Sequence, residues 1–238
     1  MKTLALINAR GNSKGVPRKN VRPLDGIPLI AWTIHTAKST PVFSSVVVST
    51  DSQEIAQIAE SYGAHVPFMR PAHLATDTSR QFDTIKYTLS KLKSAGESYD
   101  CVAILQPTCP LRSREDIENC LHTMNAIDAD TVITVRSAYG GLLKTLYHRH
   151  EDGTSVSLAD NDDRQGMIRQ QHREIFQRTG GVYLVKSKTV LEDNALYGKK
   201  LGSVVMPPER CFDVDEPFDW SLLESWVIYN DIKREHFK

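Results

Sequence analysis

Short apolar runs recur along the chain and alternate with longer segments of helical periodicity. The run at residues 4–8 has no charged interruption, and comparable runs occupy residues 45–49, 101–105 and 131–135. Such runs are typical of strands that are buried on both faces, as in a parallel sheet. A further short strand is expected over residues 64–69.

Amphipathic helices are predicted between these strands. Apolar residues recur at helical spacing over residues 29–38 and 84–92, after Asp51, after Ser113, and from Pro217 onwards. Asp51 and Ser113 are expected to act as N-caps, because their side-chain oxygens can accept the first free backbone N–H groups. Strands that alternate with helices of about 10–15 residues indicate right-handed βαβ units. The pattern therefore predicts an α/β fold with a doubly wound, mostly parallel sheet.

The alternation breaks between residues 139 and 178, where the chain is polar and rich in charge. This stretch is too long for a simple connection in a compact domain, so we expect an insertion with some structure of its own. Strands are predicted again at residues 181–185 and 201–206. We interpret residues 1–238 as one domain that carries this insertion.

Composition excludes several classes of protein. The 238 residues include 29 basic and 29 acidic side chains, whereas a general nucleic-acid binder is usually strongly basic. No apolar run approaches the ~20 residues of a membrane span, and the run before Arg10 is too short for a signal peptide. The four cysteines show no CxxC spacing. We therefore expect no membrane partner, no disulfide framework or zinc site, and a location in the reducing cytoplasm.

The segment that follows the first strand is suited to binding an anion. Residues 10–20 contain two glycines, a serine and four cations, namely Arg10, Lys14, Arg18 and Lys19. In an open parallel sheet, ligands bind outside the carboxyl ends of the strands. Backbone N–H groups at the glycines and the nearby cations would suit a polyphosphate. The alternative is a solvated basic loop, which the position after strand one disfavours. The spacing fits neither a Walker loop nor a dinucleotide fingerprint.

Two other segments carry candidate chemistry. Asp213 and Asp215 lie at i and i+2, so an extended backbone projects them to one side, where they can share a magnesium ion with substrate oxygens. The alternative is that these acids belong to the start of the helix at Pro217. Residues 105–112 contain two prolines, which would fix a turn that presents Gln106, Thr108 and Arg112, although an ordinary strand-to-helix connection would look similar.

These three segments together resemble the acylneuraminate cytidylyltransferase family, whose members activate nine-carbon acidic sugars. The motifs appear as Ala-Arg-Gly-Asn-Ser-Lys-Gly at 9–15, Pro-Arg-Lys-Asn at 17–20, Leu-Gln-Pro-Thr-Cys-Pro-Leu-Arg at 105–112 and Asp-Val-Asp at 213–215. Cys109 stands where the family has serine. Thr179 stands where members that use N-acetylneuraminate often carry asparagine. The resemblance spans nearly the whole chain, while the second departure leaves the acidic sugar open.

The resemblance implies a Rossmann-like fold and a homodimer, with residues 139–178 as a dimerisation arm or lid that reaches the partner's site. It also implies that Arg169 contacts the sugar carboxylate and that Lys144 makes a second contact. Both residues would otherwise be ordinary surface charges.

The resemblance further implies a reaction, in which CMP passes from CTP to the anomeric hydroxyl of a nonulosonic acid and pyrophosphate leaves. The implied nucleotide-binding residues are Arg10, Ser13, Lys14, Lys19, Asn20 and Arg70. Gln106 and Thr108 would contact the sugar, Asp213 and Asp215 would bind Mg²⁺, and Lys19, Asp215 and Arg10 would be catalytic.

Three alternatives remain at this point. The acceptor is legionaminate, pseudaminate or another 2-keto sugar acid; the acceptor is a sugar 1-phosphate; or the protein binds a nucleotide without turnover. Paired carboxylates disfavour the last alternative, because a binding protein does not require them.

Overall fold

The computed structural model describes residues 1–138, 147–151, 153–157 and 174–237. Its strands are β1 (Thr3–Asn8), β2 (Pro23–Leu24), β3 (Ile27–Pro28), β4 (Phe43–Ser49), β5 (Cys101–Ile104), β6 (Thr131–Ala138), β7 (Tyr147–Arg149), β8 (Ser155–Ser157), β9 (Ile175–Lys186) and β10 (Leu201–Val205). Its α-helices are α1 (Leu29–Ser39), α2 (Gln53–Ser61), α3 (Gln81–Ser94), α4 (Arg114–Ile127), α5 (Ser187–Leu191), α6 (Pro217–Tyr229) and α7 (Ile232–His236). Among the described residues, no helix is both long and apolar enough to cross a bilayer.

A six-stranded sheet organises the chain in the order β10-β6-β9-β5-β1-β4. Strand β1 pairs in parallel with β4 on one side and with β5 on the other, and β6 pairs in parallel with β10. Strand β9 lies antiparallel to both β5 and β6. The strand order reverses at β1, and a ligand crevice is expected between β1 and β5 for that reason. The predicted mostly parallel, doubly wound sheet is confirmed.

Helices cover both faces of this sheet, as the uninterrupted apolar runs predicted. Ala5 and Ile7 of β1 pack in a cluster with side chains of α1, α2 and α4, whereas Leu4 and Leu6 pack in a second cluster with α3 and α5. All four side chains are fully buried. Burial of a leucine or isoleucine side chain contributes roughly 1.5–3 kcal/mol, so Leu4, Leu6 and Ile7 stabilise the packing of the helices on both faces.

Residues 64–69 do not form the predicted strand, so this prediction is wrong. The segment forms a single bridge, in which His65 donates its N–H to the carbonyl oxygen of Val46 and accepts from the N–H of Val48. Pro67 has no N–H to continue such a ladder. The apolar character of the segment reflects partial burial beside β4.

The predicted helix caps were half correct. Ser113 caps α4 and forms a reciprocal capping box with Asp116, as the Ser-x-x-acid spacing indicated. Helix α2, however, is capped by Ser52, whose Oγ accepts from the Ile55 N–H, so the assignment of Asp51 is wrong. Asp51 instead accepts a hydrogen bond from the Gly11 N–H at 2.9 Å. The Asp51 carboxylate therefore stabilises the loop that follows β1.

The insertion predicted over residues 139–178 is shorter at its carboxyl end. Residues 175–178 belong to β9 and pair with β6 from Ala138 back to Val135. Residues 176–178 of β9 are exposed and include the polar Gln177 and Arg178, so this part of the strand lacks the buried apolar run that marks the other strands. Within the insertion, β7 and β8 form an antiparallel hairpin. That the insertion is a dimerisation arm stays a prediction.

Helix α7 is fastened to α1 by an aromatic cluster. The His236 ring lies 4.8 Å from the Trp32 ring, and its Nε2 is 3.1 Å from both the Trp32 carbonyl oxygen and Thr36 Oγ1. Burial lowers the pKa of His236 from 6.5 to about 4, and nearby His35 and Arg112 act in the same direction. The neutral ring is therefore the form that the fold accommodates.

We predict that His236 makes stability depend on pH between about 6.5 and about 4. The unfolded chain binds the proton more readily, so the contribution is complete above pH 6.5 and is lost as pH falls toward 4. Linkage gives a loss of about 2 kcal/mol between pH 7.5 and pH 5. Urea unfolding at both values should show this component vanish in His236→Gln but persist in His122→Gln, which alters an exposed histidine of α4. An equal pH response of wild type and His236→Gln would contradict the prediction.

Candidate active site

A cavity of about 620 Å³ opens at the carboxyl ends of β1 and β5. It is lined by ten of the predicted site residues, namely Arg10, Ser13, Lys14, Lys19, Asn20, Arg70, Gln106, Thr108, Asp213 and Asp215. These residues come from four separate segments of the chain. Lys144 and Arg169 lie outside the described residues, so their predicted sugar contacts stay predictions.

The loop after β1 is held in shape by hydrogen bonds, one within the loop and one to the segment that follows β4. Besides the hydrogen bond from the Gly11 N–H to Asp51, the Asn20 side chain donates to the Arg10 carbonyl oxygen at 2.9 Å. Asn20 is almost fully buried, so this amide spans the base of the loop. Arg18 points away from the cavity and pairs with Glu54 of α2 at 2.6 Å.

Lys19 joins the loop to the carboxylate pair. Its Nζ donates to the Val214 carbonyl oxygen and lies 3.3 Å from Asp215 Oδ1. The Lys19 side chain is only 13% exposed, whereas the Asp215 side chain is 71% exposed. The ammonium group is therefore fixed at the boundary between the basic loop and the carboxylates.

Arg10 and Lys14 share one carboxylate that the sequence interpretation missed. Asp77 lies 2.9 Å from Arg10 Nη1 through Oδ1 and 2.6 Å from Lys14 Nζ through Oδ2. The hydrogen bond from Lys14 is the largest cause that lowers the pKa of Asp77, and Arg10 lowers it further. Asp77 belongs to a connection without hydrophobic periodicity, and its partners are far away in sequence, so no local signal marked it.

Arg70 is buried beside the end of β4. Its Nη2 donates to the Ser49 carbonyl oxygen, and its Nε donates to Ser49 Oγ at 3.2 Å. Burial lowers the pKa of Arg70 to about 10, so the guanidinium is still charged at neutral pH. It supplies a fixed positive charge at the cavity wall.

The turn after β5 presents two of its three predicted side chains. Gln106 and Thr108 line the cavity, but Arg112 is fully buried, which corrects the expectation that it is presented. Its guanidinium donates to the carbonyl oxygens of Gly181 and Gln106 and to Thr33 Oγ1. Arg112 therefore supports the turn from beneath by satisfying buried carbonyl groups.

Asp213 and Asp215 project into the cavity from either side of a buried residue. Val214 is fully buried in a cluster that includes Val16, Trp32 and Trp220, and its N–H donates to the Thr108 carbonyl oxygen at 3.0 Å. The i, i+2 alternation predicted for the carboxylates is confirmed by this arrangement.

Helix α6 begins at Pro217, as the alternative explanation for the acidic residues predicted. Asp219 of α6 accepts from the N–H groups of Asp215 and Glu216, at 3.0 and 2.8 Å. The first turn of α6 therefore holds the backbone at Asp215 in place. Asp219 is a positioning residue, and its spacing from Glu216 is that of a capping box.

The carboxylate pair could hold a divalent cation. Burial is the main cause that raises the pKa of Asp213, and the charges of Asp215 and Asp219 raise it further. A divalent cation would relieve this concentration of negative charge. Within the described ranges, no group of three or more acidic, histidine or cysteine side chains could hold a metal ion. Two carboxylates suit Mg²⁺, which takes further ligands from phosphate oxygens and water.

Position 180 of β9 brings the strand against the site. A Cβ on Gly180 would lie 2.7 Å from Gln106 Oε1 and 3.4 Å from Asp213 Oδ1. The neighbouring Thr179 is buried and its hydroxyl donates to Thr134 Oγ1 at 2.7 Å. The Thr179 hydroxyl is thus directed into the sheet.

The chain is similar in sequence and in fold to several known nucleotidyltransferases. The profile of the cytidylyltransferase family matches residues 4–212. The CMP-N,N'-diacetyllegionaminic acid synthase of Legionella pneumophila is 33% identical over 231 residues, which cover 97% of this chain and 98% of that protein. The N-acylneuraminate cytidylyltransferase of Escherichia coli is 29% identical over 228 residues, which cover 93% of this chain and 51% of that protein. A solved CMP:2-keto-3-deoxy-manno-octonic acid synthetase, complexed with CTP, matches 97% of this chain and 100% of that one. Its TM-score is 0.72 at 15% identity, which shows a shared fold.

We predict that Gly15→Ala disables the site while it leaves the chain folded. A Cβ at this position would lie 1.9 Å from the Asp215 backbone oxygen, so the basic loop and the carboxylate segment would have to separate. Circular dichroism should show a folded protein, and turnover should fall by about 100-fold or more, the loss typical of one misplaced preorganised group. Asn12→Ala, an exposed change in the same loop, is the matched control. Normal turnover of Gly15→Ala would show that the contact has no catalytic role.

Proposed function

The chain belongs to the cytidylyltransferase family, and we propose that it transfers CMP from CTP to the anomeric hydroxyl of a nonulosonic acid, with release of pyrophosphate. One observation carries this proposal. A single cavity collects the basic loop, the turn with Gln106 and the pair Asp213 and Asp215, although these segments are far apart in sequence. The names of two relatives support the proposal: one is a CMP-N,N'-diacetyllegionaminic acid synthase that matches along nearly its whole length, and the other is an N-acylneuraminate cytidylyltransferase.

The cations of the cavity would bind the triphosphate. Arg10 and Lys14 flank one wall, and Arg70 adds a fixed charge near the end of β4. Phosphoryl transfer needs little covalent assistance, because positioning and charge stabilisation provide most of the acceleration. Lys19 would stabilise the charge that develops as the bond between the α-phosphorus and the leaving pyrophosphate breaks.

The acceptor would lie on the side of Gln106. Its hydroxyl oxygen attacks the α-phosphorus from the face opposite the leaving group, and the carboxamide of Gln106 and the hydroxyl of Thr108 orient the sugar. Asp213 and Asp215 would hold Mg²⁺. When bound, this ion would neutralise phosphate charge and make the hydroxyl easier to deprotonate.

A legionaminate-type acceptor is the best starting candidate within the nonulosonic acids. Thr179 stands where the sialate-activating pattern has asparagine, and its hydroxyl is already bonded to Thr134 at 2.7 Å. It is therefore not directed at a sugar. The full-length match to a legionaminic acid synthase supports the same choice.

A homodimer is also proposed. Phe218, Leu222 and Tyr229 share one face of α6, and each side chain is exposed. Covering such an apolar face with a second subunit would be favourable. Light scattering at micromolar concentrations distinguishes this state from a monomer. We further expect the protein to act in the cytoplasm; its four cysteines are buried free thiols, which fits a reducing compartment.

Pyrophosphate release with CTP and magnesium tests the function directly. We expect turnover with N,N'-diacetyllegionaminate or a related nonulosonate, weaker turnover with N-acetylneuraminate, and none with sugar 1-phosphates. The eight-carbon acid Kdo belongs in the same panel. Turnover confined to a sugar 1-phosphate, or nucleotide binding without turnover on the whole panel, would overturn the proposal.

We predict that Lys19→Ala lowers kcat by about 100- to 1,000-fold, the usual effect of removing one preorganised donor. The matched control is Arg18→Ala, which removes the neighbouring cation, paired with Glu54 outside the cavity. Steady-state kinetics with CTP should show the control close to wild type. Retention of normal kcat by Lys19→Ala would remove Lys19 from the catalytic set.

A further inference from the structure

The segment of residues 71–80 forms one wall of the cavity and is lightly anchored to the rest of the fold. It contributes Leu74, Thr76, Asp77 and Ser79 to the cavity lining, and none of its residues is buried. One side-chain hydrogen bond joins it to helix α3: Thr84 Oγ1 donates to the Leu74 carbonyl oxygen at the long distance of 3.4 Å. Segments with so little buried surface can move at low cost in free energy.

Internal hydrogen bonds make this segment a unit. The Thr76 N–H donates to Ser79 Oγ at 3.1 Å, the Thr76 and Ser79 hydroxyls are 2.7 Å apart, and Ser79 Oγ donates to the His73 carbonyl oxygen at 2.9 Å. These bonds do not involve the facing loop. The segment can therefore shift as a whole without losing them.

Contacts across the cavity hold the segment against the basic loop. Asp77 pairs with Arg10 and Lys14, and Arg10 Nη1 also donates to the Thr76 carbonyl oxygen at 3.1 Å. All three charged side chains are partly exposed, at 32% for Arg10, 39% for Asp77 and 74% for Lys14. Ion pairs at such exposure contribute only about 0–1 kcal/mol each, so a stronger anion could displace the carboxylate.

We propose that Asp77 is an internal competitor for the polyphosphate, which occupies Arg10 and Lys14 until the phosphates displace it and release residues 71–80. A carboxylate and a polyphosphate cannot share both cations without strong mutual repulsion. Exchange of one anion for the other keeps the cations neutralised throughout binding. The carboxylate can return as pyrophosphate departs, and this would lower the affinity for that product. The proposal rests on the proposed function only for the identity of the polyanion.

Calorimetric titration with inorganic tripolyphosphate tests the competition without a nucleoside or an acceptor. Asp77→Asn should bind it about three- to tenfold more tightly than wild type, since one or two exposed pairs no longer compete. Asp77→Glu keeps the charge and should stay close to wild type. Asp128→Asn is the matched control, because Asp128 pairs with Lys186 at 2.6 Å on the surface and has a left-handed backbone that asparagine tolerates.

Equal or weaker binding by Asp77→Asn would overturn the proposal and indicate that Asp77 positions the cations. Hydrogen exchange provides a second readout. Residues 71–80 should exchange faster in Asp77→Asn without ligand, and faster in wild type once tripolyphosphate is added. Protection of the wild-type segment by tripolyphosphate would also overturn the proposal. If the wild-type protein showed no turnover with CTP, while Asp77→Asn still bound tripolyphosphate more tightly, the proposed function alone would be refuted.

Discussion

The insertion of Val214 into an apolar cluster is the contact on which the site depends. Its side chain is buried with Val16, Trp32 and Trp220, which stabilises the segment by roughly 1.5–2 kcal/mol. Its N–H is bonded to the turn after β5, and its carbonyl oxygen accepts from Lys19 of the loop after β1. Val214 therefore fixes the relative positions of three segments, namely its own, the turn after β5 and the loop after β1. The carboxylates on either side of it face the cavity because the residue between them faces the core.

Charge compensation inside the cavity is the second general feature. Arg10, Lys14 and Lys19 each have a carboxylate partner, and Arg70 is bonded to Ser49. Binding of a polyanion at these groups would exchange partners more than it would create new charge pairs. The geometry of the cations is thus prepared in advance, and the net gain in binding free energy is moderated by the partners that are given up.

Much of the site could be predicted because parallel strands bring their carboxyl ends to one edge. That rule singled out the segments that follow β1 and β5 and the alternating acid pair as candidates, while the roles of their residues came from the family resemblance. Side chains whose role depends on distant partners could not be found in this way. Asp77 acts on cations more than 60 residues away, and Arg112 satisfies carbonyl groups of other segments. Residues 175–178 of β9 could not be predicted as a strand, because their pairing with β6, and not a buried apolar run, makes them part of the sheet.

The pairing of β6 with β9 fixes where the insertion is attached. Ala138 is opposite Ile175, so the chain leaves the sheet and re-enters it at adjacent points. The closure entropy of such an excursion grows only slowly with its length. Replacement of everything between these two anchor points by a longer, shorter or unrelated stretch would leave the ladder intact. The sheet and the cavity at its edge would then tolerate change in the insertion, so a segment from a related chain could be grafted between these two points.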